Sequence, residues 1–264
     1  MAVFVCGDTH GTHTIHKLRN FRKYAGAHLT KDDYVIVCGD FGLLWNNEYL
    51  SEEYGTEKLR VPNNPWDCLW STDEVNLYYW YESCPWTTLF VDGNHENFDR
   101  LALYPVSEWH GGNVQKISDS IIHLMRGEIY EIDGHSFFCM GGAMSTDRGP
   151  IIGDEKYSAH RWWWPQEIPS VDEWEVAYRN LETHDWEVDF IITHDTPASV
   201  TLRLNAKYRI SEVSNRLEMI RDMVSYSHWF CGHMHCDERF GDISILYRNE
   251  PVNIDAYIYS LHVR

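Results

Sequence analysis

Val3-Phe4-Val5-Cys6-Gly7-Asp8-Thr9-His10-Gly11 opens the chain with four apolar, β-prone residues, a glycine, and then a carboxylate and an imidazole two positions apart. The apolar run has the composition of a buried strand. In extended backbone residues i and i+2 point the same way, so Asp8 and His10 are paired by spacing to reach one place. The pattern recurs four times. Val35-Ile36-Val37-Cys38 leads into Gly39-Asp40, and Leu89-Phe90-Val91-Asp92 into Gly93-Asn94-His95-Glu96. Phe190-Ile191-Ile192-Thr193 leads into His194-Asp195, and His228-Trp229-Phe230-Cys231 into Gly232-His233-Met234-His235. Strands that deliver nitrogen and oxygen ligands from their carboxyl ends to one rim build the usual site of an α/β protein. Turn chemistry alone explains one such motif and five in order poorly.

Working outward, Thr12 to Tyr24 reads as a helix capped by Thr12 or Thr14, and Ser71 and Glu74 have capping-box spacing before a second helix. Ile121 to Met125, Glu128 to Ile132 and Ser136 to Met140 read as strands, with Asp133-Gly134 as a hairpin turn. Val171 to Glu182 and Ser211 to Ser225 read as helices. Arg239 to Tyr247 and Ala256 to Leu261 read as closing strands. Helices alternate with strands at both ends, with an antiparallel stretch between them. The pattern predicts an α/β fold: a four-layer α/β/β/α sandwich of two mixed β-sheets flanked by helices. Ligand motifs run from Asp8 to His235 without a composition break, so residues 1–264 are expected to form a single domain, with an irregular Trp-rich insertion around 142–187.

The 264 residues are 44% hydrophobic, ample for a core, and carry a formal net charge of −18. Such a surface disfavours duplex nucleic acid as a general partner and leaves room for a small anionic substrate at a cation site. Seven scattered cysteines cannot all pair, which points to a reducing compartment. With no leader-like start and no apolar run near the ~18 residues of a membrane span, the expectation is a cytoplasmic protein without membrane association. Oligomeric state is not readable.

Carboxylate, imidazole and amide ligands suit Mn²⁺, Fe²⁺ and Zn²⁺. Two aspartates, one asparagine and four histidines exceed the needs of one ion. Two ions sharing a carboxylate, ~3.5–4 Å apart, would account for the surplus and clamp a phosphoryl group. Motif by motif the chain resembles the calcineurin-like metallophosphoesterases, whose pattern is DxH, GD, GNH, a strand then H, and GHxH. The resemblance implies that one metal takes Asp8, His10, Asp40 and His235, and the other Asp40, Asn94, His194 and His233. Asp40 would bridge them with a hydroxide that attacks phosphorus in line, and His95 would protonate the leaving group or hold a phosphoryl oxygen. It implies a dinuclear phosphoesterase acting on a small phosphomonoester or phosphodiester, such as a nucleotide. Manganese is the first choice of metal, with Fe, Zn or Ni as alternatives.

The sequence departs from the protein-phosphatase branch. After Gly39-Asp40, Leu43 and Leu44 stand where that branch has Asp and Arg. A Ser/Thr protein phosphatase is therefore disfavoured, and His95 lacks its usual orienting carboxylate. The segment Gly141-Gly142-Ala143-Met144-Ser145-Thr146-Asp147-Arg148 is similar to a GGAxSxD(K/R) block of a bacterial and phage-type branch. Arg148 and Arg161 are candidates for gripping phosphate, since guanidinium matches it bidentately. Asp92, Glu96 and Asp195 either orient ligand histidines or are solvated. The Trp162–Trp164 run reads as core or lid. A non-catalytic metal-binding scaffold for partner proteins is the alternative from another functional class.

Overall fold

The apolar runs pair side by side. β1 (Val3–Cys6), β2 (Tyr34–Cys38), β3 (Thr87–Val91) and β6 (Ile121–Leu124) are parallel neighbours. The computed structural model describes residues 1–45, 70–147, 159 and 162–262. β4 (Val106–Trp109) and β5 (Gly112–Ser118) extend this sheet antiparallel, and β13 (Val252–Asn253) closes its other edge, giving the order β13-β1-β2-β3-β6-β5-β4. The second sheet has the order β11-β12-β10-β9-β8-β7. It comprises β7 (Glu128–Ile132), β8 (His135–Met140), β9 (Glu187–Thr193), β10 (Ser225–Cys231), β11 (Glu238–Phe240) and β12 (Ile243–Ile245).

Strand alternation sorts the core into layers. Val3, Val5, Ile36, Leu89 and Val91 face Phe137, Cys139, Phe190, Ile192 and Phe230 between the sheets. Val35, Val37 and Phe90 point outward to α1 (His16–Lys23) and α2 (Thr72–Glu82). Phe138, Ile191 and Trp229 point the opposite way, to α4 (Val171–Thr183), α5 (Ala198–Leu204) and α6 (Glu212–Met223). A short α3 (Phe98–Leu101) follows the third motif. The four-layer sandwich of two mixed sheets stands as predicted. The capping box of Ser71 with Glu74 forms, as does one of Ser170 with Glu173. Ile132 pairs with His135 across Asp133-Gly134, both at positive φ as a two-residue hairpin turn requires.

Four local expectations need correction. Residues 254–262 form a helix, α7 (Ile254–His262), where a strand over Ala256–Leu261 was expected. Ile254, Tyr257 and Ile258 stand at i, i+3, i+4 and pack into the inter-sheet core, and Asn253 Oδ1 accepts from Ala256 N at 2.9 Å. Helix α1 begins at His16, because Thr14 is spent on a turn: its N–H donates to Thr9 O at 3.0 Å and its hydroxyl to Asp8 O at 2.7 Å. Arg239–Tyr247 divides into β11 and β12 around a left-handed Gly241. The β4–β5 hairpin and α5 are additional elements; β4 is a largely exposed edge whose residues lack a buried strand's apolar run.

Candidate metal centre

β1, β2 and β3 are adjacent and parallel, as are β9 and β10, so their carboxyl ends lie side by side on two facing sheets. Asp8, Asp40, Asn94, His194, His233 and His235 follow directly from those ends. Cross-sheet bonds fix the two rims together. His194 Nδ1 lies 2.8 Å from Cys38 O, and His233 N donates to both Asp8 carboxylate oxygens at 3.1 Å. Glycine is required where the rims meet: a Cβ on Gly39 would fall on the His194 ring, and one on Gly232 on the Asp8 carboxylate.

The loops after the strands are sharply turned. Among the described residues eight non-glycine positions have positive φ, and four of them are His10, Asp40, His233 and His235. Each left-handed residue costs about 1–3 kcal/mol and persists where surroundings enforce it. Here they do so through hydrogen bonds. His10 N donates to Asp40 O at 2.7 Å and Gly11 N to Phe41 O at 3.0 Å. The buried Glu96 carboxylate accepts from Phe41 N at 2.5 Å and Gly42 N at 3.2 Å. Buried Lys17 donates to Gly7 O, Asp8 O and Tyr247 O at 2.8, 2.6 and 2.5 Å.

One ligand atom each from Asp8, His10, Asp40 and His235 lies within 4.8 Å of the other three. His10 Nε2 and His235 Nε2 are 2.9 Å apart. Two imidazole lone pairs face each other at that distance only with a proton or a cation between them. Beside this group, His194 Nε2 is 3.2 Å from Asp40 Oδ1 and 3.2 Å from Asn94 Oδ1, and its ring is 4.9 Å from that of His233. With Nδ1 set on Cys38 O, Nε2 of His194 faces two acceptors. Carboxylate, amide and imidazole atoms thus converge, and among the described residues no lysine or arginine is bonded to the Asp8 or Asp40 carboxylate, which fits divalent ions.

The electrostatics of the metal-free protein agree. Burial lifts the Asp8 carboxyl to about 7, with Asp40 adding to the rise. Burial also pushes Asp40 up, but the His194 charge and hydrogen bond outweigh it and hold Asp40 well below the carboxylate range. Burial pulls His194 down, while Asp40 and Asp8 override it and raise the imidazole to about 10. A proton on His194 therefore stands where cationic charge is needed. Burial lowers His10 to about 4 and also depresses His233 and His235, leaving these rings neutral and available as ligands.

His95 stands at the open lip, its ring 5.2 Å from His10 and 5.7 Å from Trp45. Its backbone N–H donates to Asp40 Oδ1 at 2.7 Å, and its Nε2 lies 3.6 Å from Asp147 Oδ2. Arg148 and Arg161 lie outside the described residues. Of the three flanking acids, Asp92 pairs with Arg126 and His123, and Glu96 holds the Asp40 loop. Asp195 accepts from Ser211 and Ser214 hydroxyls at 3.0 and 2.9 Å. Trp164 is core, its indole donating to Asp99, whereas Trp162 is exposed. Lys17, Asp147 and Tyr247, which stacks on His235 at 4.5 Å, escaped sequence reasoning; of these only Asp147 lay within a noticed motif. Two concavities meet at His235. One, of 570 Å³, is lined by His10, His95, Trp45 and Leu77; the other, of 710 Å³, by His233, Met144, Tyr208 and Arg209.

A family model described as calcineurin-like phosphoesterase matches residues 1–237. A lariat debranching enzyme of Drosophila pseudoobscura pseudoobscura is 23% identical over 223 residues, covering 78% of this chain and 37% of that protein. Its Drosophila melanogaster counterpart is 22% identical, covering 78% and 38%. A lariat debranching enzyme of Arabidopsis thaliana is 20% identical over 238 residues, covering 83% and 51%. The chain thus spans between 37% and 51% of the length of these relatives.

Proposed function

The chain belongs to the calcineurin-like phosphoesterase family, and from that premise we propose that it is a dinuclear metal-dependent phosphoesterase. The observation that carries this reading is the convergence of one ligand atom each from Asp8, His10, Asp40 and His235 within 4.8 Å. Asp8, His10, Asp40 and His235 would hold one ion, and Asp40, Asn94, His194 and His233 the other, with Asp40 shared. Bound there, two divalent ions would supply activation of water at neutral pH and a counter-charge for the phosphoryl oxygens. Manganese is the first choice for this mixed set of carboxylate, amide and imidazole donors, with Fe, Zn or Ni as alternatives.

The chain's own residues do the rest. His194, fixed through Nδ1 to Cys38 O, keeps Nε2 aimed into the centre. His95, at the mouth of the cleft, is placed to give a proton to the departing oxygen. Trp45 and Leu77 form an apolar wall for the organic part of the substrate. Concavities on both sides of His235 leave room for an organic group on each side of phosphorus, which favours a phosphodiester over a phosphomonoester. The similarity to enzymes named for debranching lariats supports the same preference. The net charge of −18 argues against a long polyanionic duplex. No helix among the described residues is long and apolar enough to cross a membrane. Five described cysteines are buried free thiols, which suits the reducing cytoplasm.

The test is turnover by metal-free protein reconstituted with Mn²⁺, Fe²⁺, Zn²⁺ or Ni²⁺. Bis(p-nitrophenyl) phosphate is expected to show the higher kcat/KM, and p-nitrophenyl phosphate the lower. Inertness toward both with every metal would leave the scaffold alternative standing. His95→Ala is expected to keep its metal and lose about 10²–10⁴ in kcat; unchanged kcat would place proton transfer elsewhere.

A further inference from the structure

We propose that Asp147 is the positioning residue of His95, supplied by a loop distant in sequence from the Gly39-Asp40 motif. The inference rests on the role given to His95 above. Asp147 Oδ2 lies 3.6 Å from His95 Nε2. Among the described residues, three other acids close to His95 in the chain or in space are already engaged. Asp40 Oδ1 receives the backbone N–H of His95, Asp92 is clamped by Arg126, and Glu96 holds the Phe41 and Gly42 amides. Leu43 and Leu44 are buried in the outer core and offer nothing polar.

The Gly141–Asp147 loop is anchored up to Ser145, two residues before Asp147. A Cβ on Gly141 would strike the Asp92 carboxylate, and Gly142 has φ +86°. Gly142 N donates to Asp92 O at 2.9 Å, which ties this loop to the strand end that carries Asn94 and His95. Ala143 N donates to Glu167 O at 3.0 Å. The Glu167 carboxylate, fully buried, accepts from Ser145 N at 3.1 Å and Ser145 Oγ at 2.9 Å. The Gly-Gly-Ala-x-Ser-x-Asp spacing is thereby explained: two glycines for close packing, a buried alanine, an anchored serine, and an aspartate delivered to the imidazole. Trp45 stands on His95 as well, so the ring is held by a carboxylate and an indole.

The experiment uses manganese-loaded full-length protein with methyl phenyl phosphate and methyl p-nitrophenyl phosphate, which differ in leaving group. Asp147→Asn and Asp147→Ala are expected to lower kcat on the phenyl ester by about 10- to 100-fold. The loss on the nitrophenyl ester should be smaller, because that leaving group needs less help. KM, metal content and thermal midpoint should hold, and Asp147→Glu should recover part of the rate. In a His95→Ala background Asp147→Ala should be silent. Full kcat on the phenyl ester in Asp147→Ala, beside a slow His95→Ala, sinks the inference and spares the reading of His95. An equal loss on both esters, an altered metal content, or an undiminished effect in the His95→Ala background also sinks it. Full rate in His95→Ala itself takes down both.

Discussion

Two buried polar clusters sit at the ends of adjacent strands and meet opposite needs. Beyond β3, Asp92 is 1% exposed and receives Arg126 Nε and Nη2 at 2.9 and 2.5 Å and His123 Nε2 at 3.1 Å. Arg126 also reaches Glu173 and Gln166 O, and His123 also meets Gln115. Burial pushes Asp92 up, but the guanidinium outweighs it and holds the carboxyl at about 2. Beyond β2 and β1, Asp40 and Asp8 are equally buried but have imidazoles and backbone donors against their carboxylates. The first cluster carries a fixed guanidinium and is a strut. The second relies on the dissociable proton of His194, with the Lys17 ammonium held on the Asp8 carbonyl, so its charge can be exchanged for the metal proposed there. A buried carboxylate needs a counter-charge in either case; where the charge comes from separates structure from site.

Each prediction breaks or sharpens that contrast. The largest effect is expected from Asp40→Ala, which removes the ligand proposed to be shared. Activity should fall by on the order of 10⁴-fold or more, as when one member of an interdependent centre is lost. Metal analysis should show both ions gone, and turnover near wild type would refute the shared role. Next, Arg126→Met strips the strut of its cation and leaves Asp92 buried and unpaired, costing about 3–5 kcal/mol in urea unfolding. Metal affinity of the folded fraction should hold. A third effect is smaller: Mn²⁺ at a hundredfold excess over Kd should stabilise the wild type by about 2.7 kcal/mol. Arg126→Met should show the same gain in its thermal midpoint, and Asp40→Ala none.

The finest distinction lies in protons. In the metal-free protein Asp8 titrates at about 7 and His194 at about 10, both raised above their unfolded values. Their stabilisation is complete at low pH and fades as pH rises, from about 4 to 7 for Asp8 and from about 6.5 to 10 for His194. Asp92 has the reverse sign: its depressed value gives stability present above about 4 and lost as pH falls through about 2. Metal-free protein should therefore unfold more readily at pH 9 than at pH 6. Mn²⁺ should bind more tightly as pH rises through 7, releasing protons that calorimetry in two buffers can count. Flat stability from pH 6 to 9 without metal would remove the idea that protons stand in for ions.

The legible part of this molecule is the part whose signals are local. Buried parallel strands read as unbroken apolar runs, so β1, β2, β3, β9 and β10 announce themselves, and their ligands follow within four residues. Capping boxes and the Asp133-Gly134 turn are equally local. The β4–β5 hairpin was hidden because an exposed edge strand needs no apolar run. Helix α7 was misread because its aromatics suit a strand, and only the i, i+3, i+4 spacing of Ile254, Tyr257 and Ile258 betrays the helix. The pairing of Asp92 with Arg126, 34 residues on, and the approach of Asp147 to His95 had no local trace. They depend on how the sheets stack.

The bonds of Lys17 carry a consequence for folding. Its ammonium joins Gly7 and Asp8, just past β1, to Tyr247, which lies 230 positions after Lys17 itself. The β1–β13 pairing spans a similar interval. Asp8, Asp40 and Asn94 follow three neighbouring strands of one sheet, whereas His194, His233 and His235 come from the other. The proposed centre is therefore complete only once the two sheets have closed on each other, and ion retention should report that closure.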